Sequence, residues 1–569
     1  MKIRKTLALI LSLILLLSLM TACGSGTGTQ TPAPSNSPSA QAPAPSASSS
    51  GAPAPAPASP SKTPDFTAVA EPPPETANLA EHINFVGRDS PINVLNPVLA
   101  GATGESAWIM HMTNDMLIDI FGPNDYRPSL ATSWKTDDYQ TIRLTLRDDV
   151  YFHNGDHFTA EDVKFTVDVA LANPGGTSYS KLRIVDRVDI IDPYTIDIVF
   201  FEPEINYLFD LSHWACGILN KNEYEKRPDD PLWASVGTGP FKLMDFSPSN
   251  YVKLERNENY WGDLAPTRSI TFWTIPEMAT RNIMLQNGEL QVCFVLATND
   301  LDAMRNNPDF AIIEDAIHYP TMLAFNNQGD ELMMDMNFRM AVAHALNLED
   351  IAIAANGNWA RAWPNGSLWG QRTPFFKEDI PRREYNLDLA KEYLAKSVYN
   401  GQVVEIASVP GDRGRAAEMV QAQLAMAGIV VDVAMMDTAG YSEAFAYNPD
   451  STRQMSLFTI GYGPTVLGSL RVLLMPRIVT NRINMNSELI NNFEADLSKG
   501  VTLDREREIS YEIQDYLWET MAAIPMYSAV LGITTVPGIS GMHLWGDTFT
   551  YDIRGIYWDL NETPDHLKP

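Results

Sequence analysis

Leu146-Arg147-Asp148-Asp149-Val150-Tyr151-Phe152-His153-Asn154-Gly155, followed at once by Thr159-Ala160-Glu161-Asp162-Val163, is the stretch from which the fold is read. Just upstream, Thr141-Ile142-Arg143-Leu144-Thr145-Leu146 alternates polar and apolar residues, the period of a half-buried strand. The pattern predicts a hairpin that runs on to Val150-Tyr151-Phe152 and turns at Asn154-Gly155, a strong tight-turn pair. Thr159 then stands where a helix cap belongs, with Glu161 and Asp162 in the first turn, where the macrodipole favours acids. Val163, Phe165, Val167 and Ala170 supply the buried contacts of that helix.

Outward from this stretch the same reasoning predicts strands over 81–88, 195–201 and 269–275. Helices are expected over 335–355, 387–397, 416–427 and 504–520, with strands over 402–407, 429–435 and 454–459 between them. That alternation implies an α/β fold with parallel strands and crossover helices. No period of 20–50 residues repeats, which excludes a solenoid.

The N-terminus has the build of a secretory signal. Met1-Lys2-Ile3-Arg4-Lys5 is basic, Thr6 to Met20 is uncharged and leucine-rich, and Met20-Thr21-Ala22-Cys23 follows. The apolar run is short for a membrane span. Its ending resembles a bacterial lipobox, which implies a lipoprotein signal peptide over 1–22 and lipid attachment at Cys23; an ordinary cleaved signal with an incidental cysteine is the alternative. Residues 24–64 are almost entirely Gly, Ser, Thr, Pro and Ala, with Lys62 the sole charge. Such a segment buries too little apolar surface to offset its ordering entropy, so 23–78 reads as a Pro/Ala/Ser-rich disordered linker between anchor and body.

The chain has 45% hydrophobic residues and 12 Trp, enough for a packed body of two or three lobes. Its formal net charge is −29, and loss of Lys2, Arg4 and Lys5 with the signal takes it to about −32. That acidity argues against nucleic acid as a partner. Cys216 and Cys293, each among apolar neighbours, read as buried small hydrophobes rather than a disulfide framework. There is no His-Glu-x-x-His, no Walker loop and no Gly-x-Ser-x-Gly elbow. Ser178-Tyr179-Ser180-Lys181 lacks the companion motifs of penicillin-interacting enzymes, and His153 and His157 flank a turn. The expectation is therefore no catalytic residue, no metal and no cofactor.

Two loops are rich in binding-type side chains. Trp359-Ala360-Arg361-Ala362-Trp363-Pro364-Asn365-Gly366-Ser367-Leu368-Trp369-Gly370 gathers three indoles and an arginine, and Gly461-Tyr462-Gly463-Pro464 follows a predicted strand. Local capping of a loop cluster is the alternative use for these indoles. The order of motifs along the chain resembles the family 5 extracellular solute-binding proteins of ABC importers, the peptide- and nickel-binding group. The resemblance is carried by Leu95-Asn96-Pro97, Tyr126-Arg127-Pro128-Ser129-Leu130-Ala131-Thr132-Ser133-Trp134, the 146–155 and 159–163 stretches above, Gly237-Thr238-Gly239-Pro240-Phe241, Asn257-Glu258-Asn259-Tyr260-Trp261 and Asn337-Phe338-Arg339-Met340-Ala341.

The resemblance implies a two-lobed periplasmic-binding-protein-like fold with an extra subdomain on the first lobe. Lobe I would take 79–120, 236–318 and 528–569, the extra subdomain 121–235 and lobe II 319–527. It implies a monomeric, lipid-anchored protein on the extracytoplasmic face of a bacterial membrane. Such a protein captures a small, peptide-like solute by hinge closure and delivers it to ABC permease subunits. A non-peptide solute (an oligosaccharide or metal chelate), a sensory role and, more remotely, a cell-surface hydrolase are the alternatives. Carried over residue by residue, it points to Thr103, Gly104 and Glu105 on one cleft wall, Arg361, Trp363 and Trp369 on a second, and Tyr462 on a third. Peptide-binding members carry an acid on the third wall; residues 461–468 here contain none, and Glu105 is a candidate substitute.

Overall fold

The computed structural model describes residues 72–569 apart from 88–91, 100–103, 123–124, 205–206, 295–297, 317–319, 328–329, 371–372, 374, 442–443, 445–452, 460–464, 475–482, 484–486, 500 and 545–550. The signal peptide, Cys23, most of the 23–78 linker, Thr103 and Tyr462 lie outside the described residues.

Among the described residues, twelve strands form one mixed sheet. In chain order they are β1 (His82–Val86), β2 (Phe241–Ser247), β3 (Tyr251–Arg256), β4 (Ser269–Trp273), β5 (Val292–Cys293), β6 (Ala311–Ala316), β7 (Thr321–Phe325), β8 (Ala360–Ala362), β9 (Val404–Ser408), β10 (Val431–Met435), β11 (Met455–Thr459) and β12 (Ala523–Thr535). The spatial order is β10-β9-β11-β7-β12-β5-β1-β4-β3-β2, and β6 and β8 also pair with β12. Three helices matter below: α1 (Gly104–Thr113), α2 (Asp412–Ala427) and α3 (Leu503–Thr520).

Pairing is parallel for β1 with β4 and β5, and for β9 with β10 and β11. Elsewhere on the path it is antiparallel, so the expected parallel strands form two sets within a mixed sheet. The crossover helix is present where the sequence alternates β-α-β: α2 joins β9 to its parallel neighbour β10. The thirteen-residue β12 is the spine. Its end, Val530–Thr535, pairs with β6, and its start, Ala523–Tyr527, pairs with β7. One core gathers Ile83, Phe85, Ile270, Phe272 and Phe294 with Ile533 of β12. A second gathers Leu323, Phe338, Val420 and Leu457 with Ile524 and Met526 of the same strand.

A separate antiparallel sheet is built from Ala131–Lys135, Thr141–Leu146, Thr195–Phe200 and Val185–Asp192, in that spatial order. The inward set of its alternation, Ile142, Leu144, Ile196 and Ile198, is fully buried with Phe158 and Val163. The tight turn is where the sequence puts it, with Gly155 at φ +89°. Its hairpin is not: the Thr141 strand pairs with Ala131–Lys135 and Thr195–Phe200, and beside the turn only Tyr151 and His157 bridge. The Ala160–Leu171 helix starts on Thr159, whose backbone N–H donates to the Asp162 carboxylate at 3.0 Å. The helix expected over 335–355 is two helices, Met336–Ala345 and Leu348–Asn356. Asn347 restarts the second by accepting from the Glu349 and Asp350 N–H groups.

The motifs that carried the resemblance are mostly fold-holding. Asp115 is buried and accepts from Thr238 Oγ1 (2.9 Å), Tyr260 OH (2.9 Å) and Trp261 Nε1 (2.8 Å), which ties the Gly-Thr-Gly-Pro and Asn-Tyr-Trp motifs to the end of α1. Arg339 Nε donates to Met333 O at 2.5 Å and Nη1 to Thr520 O at 2.8 Å. Such residues report family and fold, and not which solute is held. Cys216 and Cys293 are both buried.

Candidate functional site

Strand polarity defines the site. Val292 and Cys293 of β5 face Thr535 and Thr534 of β12, so β5 advances toward the low-numbered end of β12. β1 and β4 run parallel to it, and their C-terminal ends point the same way. From the other side, Thr321 at the start of β7 faces Tyr527 of β12 and Thr459 at the end of β11. β9 and β10 run parallel to β11. The C-terminal ends of both parallel sets therefore converge on one junction, crossed by β6 and β12. Open α/β sheets bind ligands outside the carboxyl ends of their strands.

On the first side, a small open pocket lies at the ends of β1 and β4. Its walls include Ile92, Trp108, Phe272, Trp273 and Ile275, with Glu105 and Arg281 the charged members. Glu105 is in the first turn of α1 and only 6% exposed. The backbone comes close here: a Cβ on Gly87 would sit 2.8 Å from Trp108 Cζ3 and 3.1 Å from Glu105 Cγ. Arg281 is buried and its Nε donates to Ile275 O at 2.5 Å.

On the second side, the Thr321 and Thr459 hydroxyls are 2.5 Å apart and Tyr527 OH donates to Asp412 at the start of α2 (3.4 Å). A carboxylate from elsewhere in the chain meets the backbone at residue 466. Glu506, in the first turn of α3, accepts the Val466 N–H at 2.7 Å and is buried. Burial pushes its carboxyl up to about 7, against the hydrogen bonds from Val466 and Leu467. Sequence reading missed it because nothing local links residue 506 to residue 466.

The indole loop is packed into the body. Trp369 is fully buried among Leu368, Phe375, Ile509, Ile513 and Leu517, and Trp363 is 3% exposed with its N–H on Ser367 O at 2.7 Å. Ser367 pins the loop to α3 by donating to Gln514 Oε1 at 2.5 Å. Both rings are spent on packing, the local use named as the alternative above. Arg361 is also engaged: it donates to Asn358 O and to Ala360 O (3.0 Å) and pairs with Glu314 of β6 at 3.3 Å. Glu314 also takes Arg305 at 2.6 Å, and Arg305 stacks on Trp359. Arg361 thus belongs to a charge network on a connecting strand. Its side chain is 51% exposed, so the pair is worth less than about 1 kcal/mol.

Ser178 donates to Ala215 O at 2.7 Å while Lys181 pairs with Asp210 at 3.4 Å, so this pair makes no nucleophile and base. His153 Nε2 lies 3.0 Å from Gly239 O and His157 Nε2 2.9 Å from Asp148 O.

The family model for bacterial extracellular solute-binding proteins, family 5 (middle region), matches residues 125–471, more than half of the chain. The chain belongs to family 5. It is a solute-binding protein of ABC importers, and its two-lobed architecture is that of its structural neighbours. The chain is 23% identical over 432 residues to the glutathione-binding protein GsiB of Salmonella paratyphi A, covering 73% of this chain and 83% of that one. Its fold is similar to the periplasmic binding protein DppA of Helicobacter pylori, solved with the peptide STSA (TM-score 0.66, 22% identity, 84% of this chain and 98% of that one). It is also similar to NikA of Brucella suis, solved with Fe(III)-EDTA (TM-score 0.69, 20% identity, 81% and 96%). Family 5 proteins bind and hand over solutes and are not enzymes.

Proposed function

We propose that this protein captures a small peptide-like solute in the junction cleft, closes over it and delivers it unchanged to an ABC permease. The convergence of both sets of strand ends on one junction, beside an open cavity that contains a buried carboxylate, is the observation that carries the reading. Relatives that hold glutathione and a short peptide support the solute class. The proposed site comprises Glu105 on the first wall, with Thr103 and Gly104 beside it, and Tyr462 on the third; Arg361, Trp363 and Trp369 are left out. The lobes are proposed as 79–120 with 236–318 and 528–569, and 319–527, with 121–235 as the extra subdomain. Separate apolar cores support that division. A monomer suffices for this arrangement.

The same reading has the protein lipid-anchored through Cys23, with 23–78 as a tether. Cells carrying Cys23→Ala should release the protein from the membrane fraction. Native mass spectrometry of that released protein, purified without unfolding, should show a small non-covalent adduct that dissociates intact. Retention in the membrane would sink the anchor, and a chemically converted adduct would sink the binding-only reading.

A further inference from the structure

The two proposed lobes are joined by more than the strands that cross between them. On one edge of β12, β6 pairs with Val530–Thr535 and ends with Ala316 opposite Val530. The next residue along β12, Ala529, pairs with Ala360, and β8 continues past Ser528 to Tyr527. β6 and β8 therefore lie end to end on β12, although residues 317–359 separate them in the chain. Their meeting point is where β12 passes from the proposed lobe I to lobe II.

At that point a side chain from the lobe II part of the chain is buried in lobe I. Trp359 follows the Leu348–Asn356 helix, yet its ring is 1% exposed, in a core with Leu285, Leu290, Leu301, Met304 and Val530. Its N–H donates to Asp302 at 3.0 Å, and the Arg305 guanidinium lies 4.5 Å from the ring centre. The fit is close: a Cβ on Gly532 of β12 would sit 2.8 Å from Trp359 Cζ3. Glu314 of β6 bridges the two strands by taking Arg305 at 2.6 Å and Arg361 of β8 at 3.3 Å. A buried indole outweighs a partly exposed ion pair, so the ring is the anchor and the charges orient it.

We infer that Trp359 is a strap that ties lobe II to lobe I across the break between β6 and β8, and so restricts how the lobes move before solute arrives. The inference rests on the proposed two-lobed closure. A strand that passes between two bodies can both bend and twist. An indole held beside that strand, in the core of the opposite body, opposes the twist and leaves the bend. Pulling the ring out would open a cavity in lobe I, and closure would have to draw that cost from solute affinity, so the ring stays seated while the lobes move. A protein restricted in this way has less freedom to lose on binding.

The test reads distances between spin labels by pulsed electron paramagnetic resonance, on the full chain carrying Cys23→Ala and stripped of co-purified solute. Cys216 and Cys293 are buried out of reach of the label. One label pair spans the lobes, Ile283→Cys with Met426→Cys, and a control pair lies within lobe I, Ile283→Cys with Met244→Cys; all three positions are more than half exposed. Trp359→Leu should broaden the interlobe distribution about twofold and leave the control pair as it is with Trp359 in place. Trp359→Phe, which keeps an aromatic ring for Arg305, should restore most of the narrow distribution. An unchanged interlobe distribution in Trp359→Leu would overturn the inference. Equal broadening of both pairs would also overturn it, by reducing Trp359 to a core residue of lobe I. If Trp359→Leu does not fold, Glu314→Gln decides in its place, because that side chain is 34% exposed and its loss removes both ion pairs from the strap. A smaller broadening confined to the interlobe pair supports the strap, and no change overturns it. The readout needs no solute, so a failed strap leaves solute capture standing.

Discussion

Trp369→Ala should lower folding stability by about 3–5 kcal/mol, the usual cost of deleting a fully buried indole and leaving a cavity. The ring is fully buried in a core cluster that also holds Leu368 and Phe375 and, from α3, Ile509, Ile513 and Leu517, so the space closes poorly without moving a helix. The folded fraction of the variant should bind the solute recovered from wild type with unchanged affinity, because the ring surface is occupied by protein. Urea unfolding and calorimetry on the same preparation separate the two effects. A stability change below about 1 kcal/mol with a tenfold loss of affinity would instead put the indole in the site.

Arg554→Met should cost a similar amount for a different reason. Arg554 pairs with Asp552 at 2.6 Å and Asp119 at 2.8 Å, and all three side chains are largely buried. Burial alone would raise the Asp552 carboxyl; Arg554, with His111 and His543, outweighs it and holds that group well below the usual carboxylate range. Removing the cation leaves two buried carboxylates, which typically costs 3–5 kcal/mol. A group so depressed contributes stability that is full above its unfolded pKa of about 3.9 and is lost progressively as pH falls below that value toward the folded one. The difference between wild type and Arg554→Met in urea midpoint should therefore be large at pH 7 and shrink on acidification. A difference that is small at pH 7, or that grows on acidification, would show that the network adds nothing.

The sequence revealed most where periodicity or capping is local. The alternation at 141–146 and 195–200 became two adjacent strands with the expected faces inward, and Thr159 starts its helix. The hairpin partner was misread because Asn154-Gly155 specifies a turn and says nothing of which strand pairs with Thr141–Leu146. The helix break at Asn347 was visible in principle, since Asn-Leu-Glu-Asp is itself a cap sequence, but the apolar run across it masked the signal. The site was less legible. An indole-rich loop has the same composition whether it lines a cleft or fills a core, and only Ser367 docking on Gln514 decides it. Glu506 reaches Val466 across forty residues. Glu105 was found from the resemblance, but its burial beside Trp108 is a property of the folded chain.

Small-angle X-ray scattering on the purified protein, first stripped of its co-purified compound and then with that compound restored, tests the central claim most directly. Ligand that binds the closed arrangement better must shift the population toward it. The account predicts a smaller radius of gyration with compound bound and recovery of the compound with its mass unchanged. An identical scattering curve at saturation, or a compound returned as a reaction product, would contradict it.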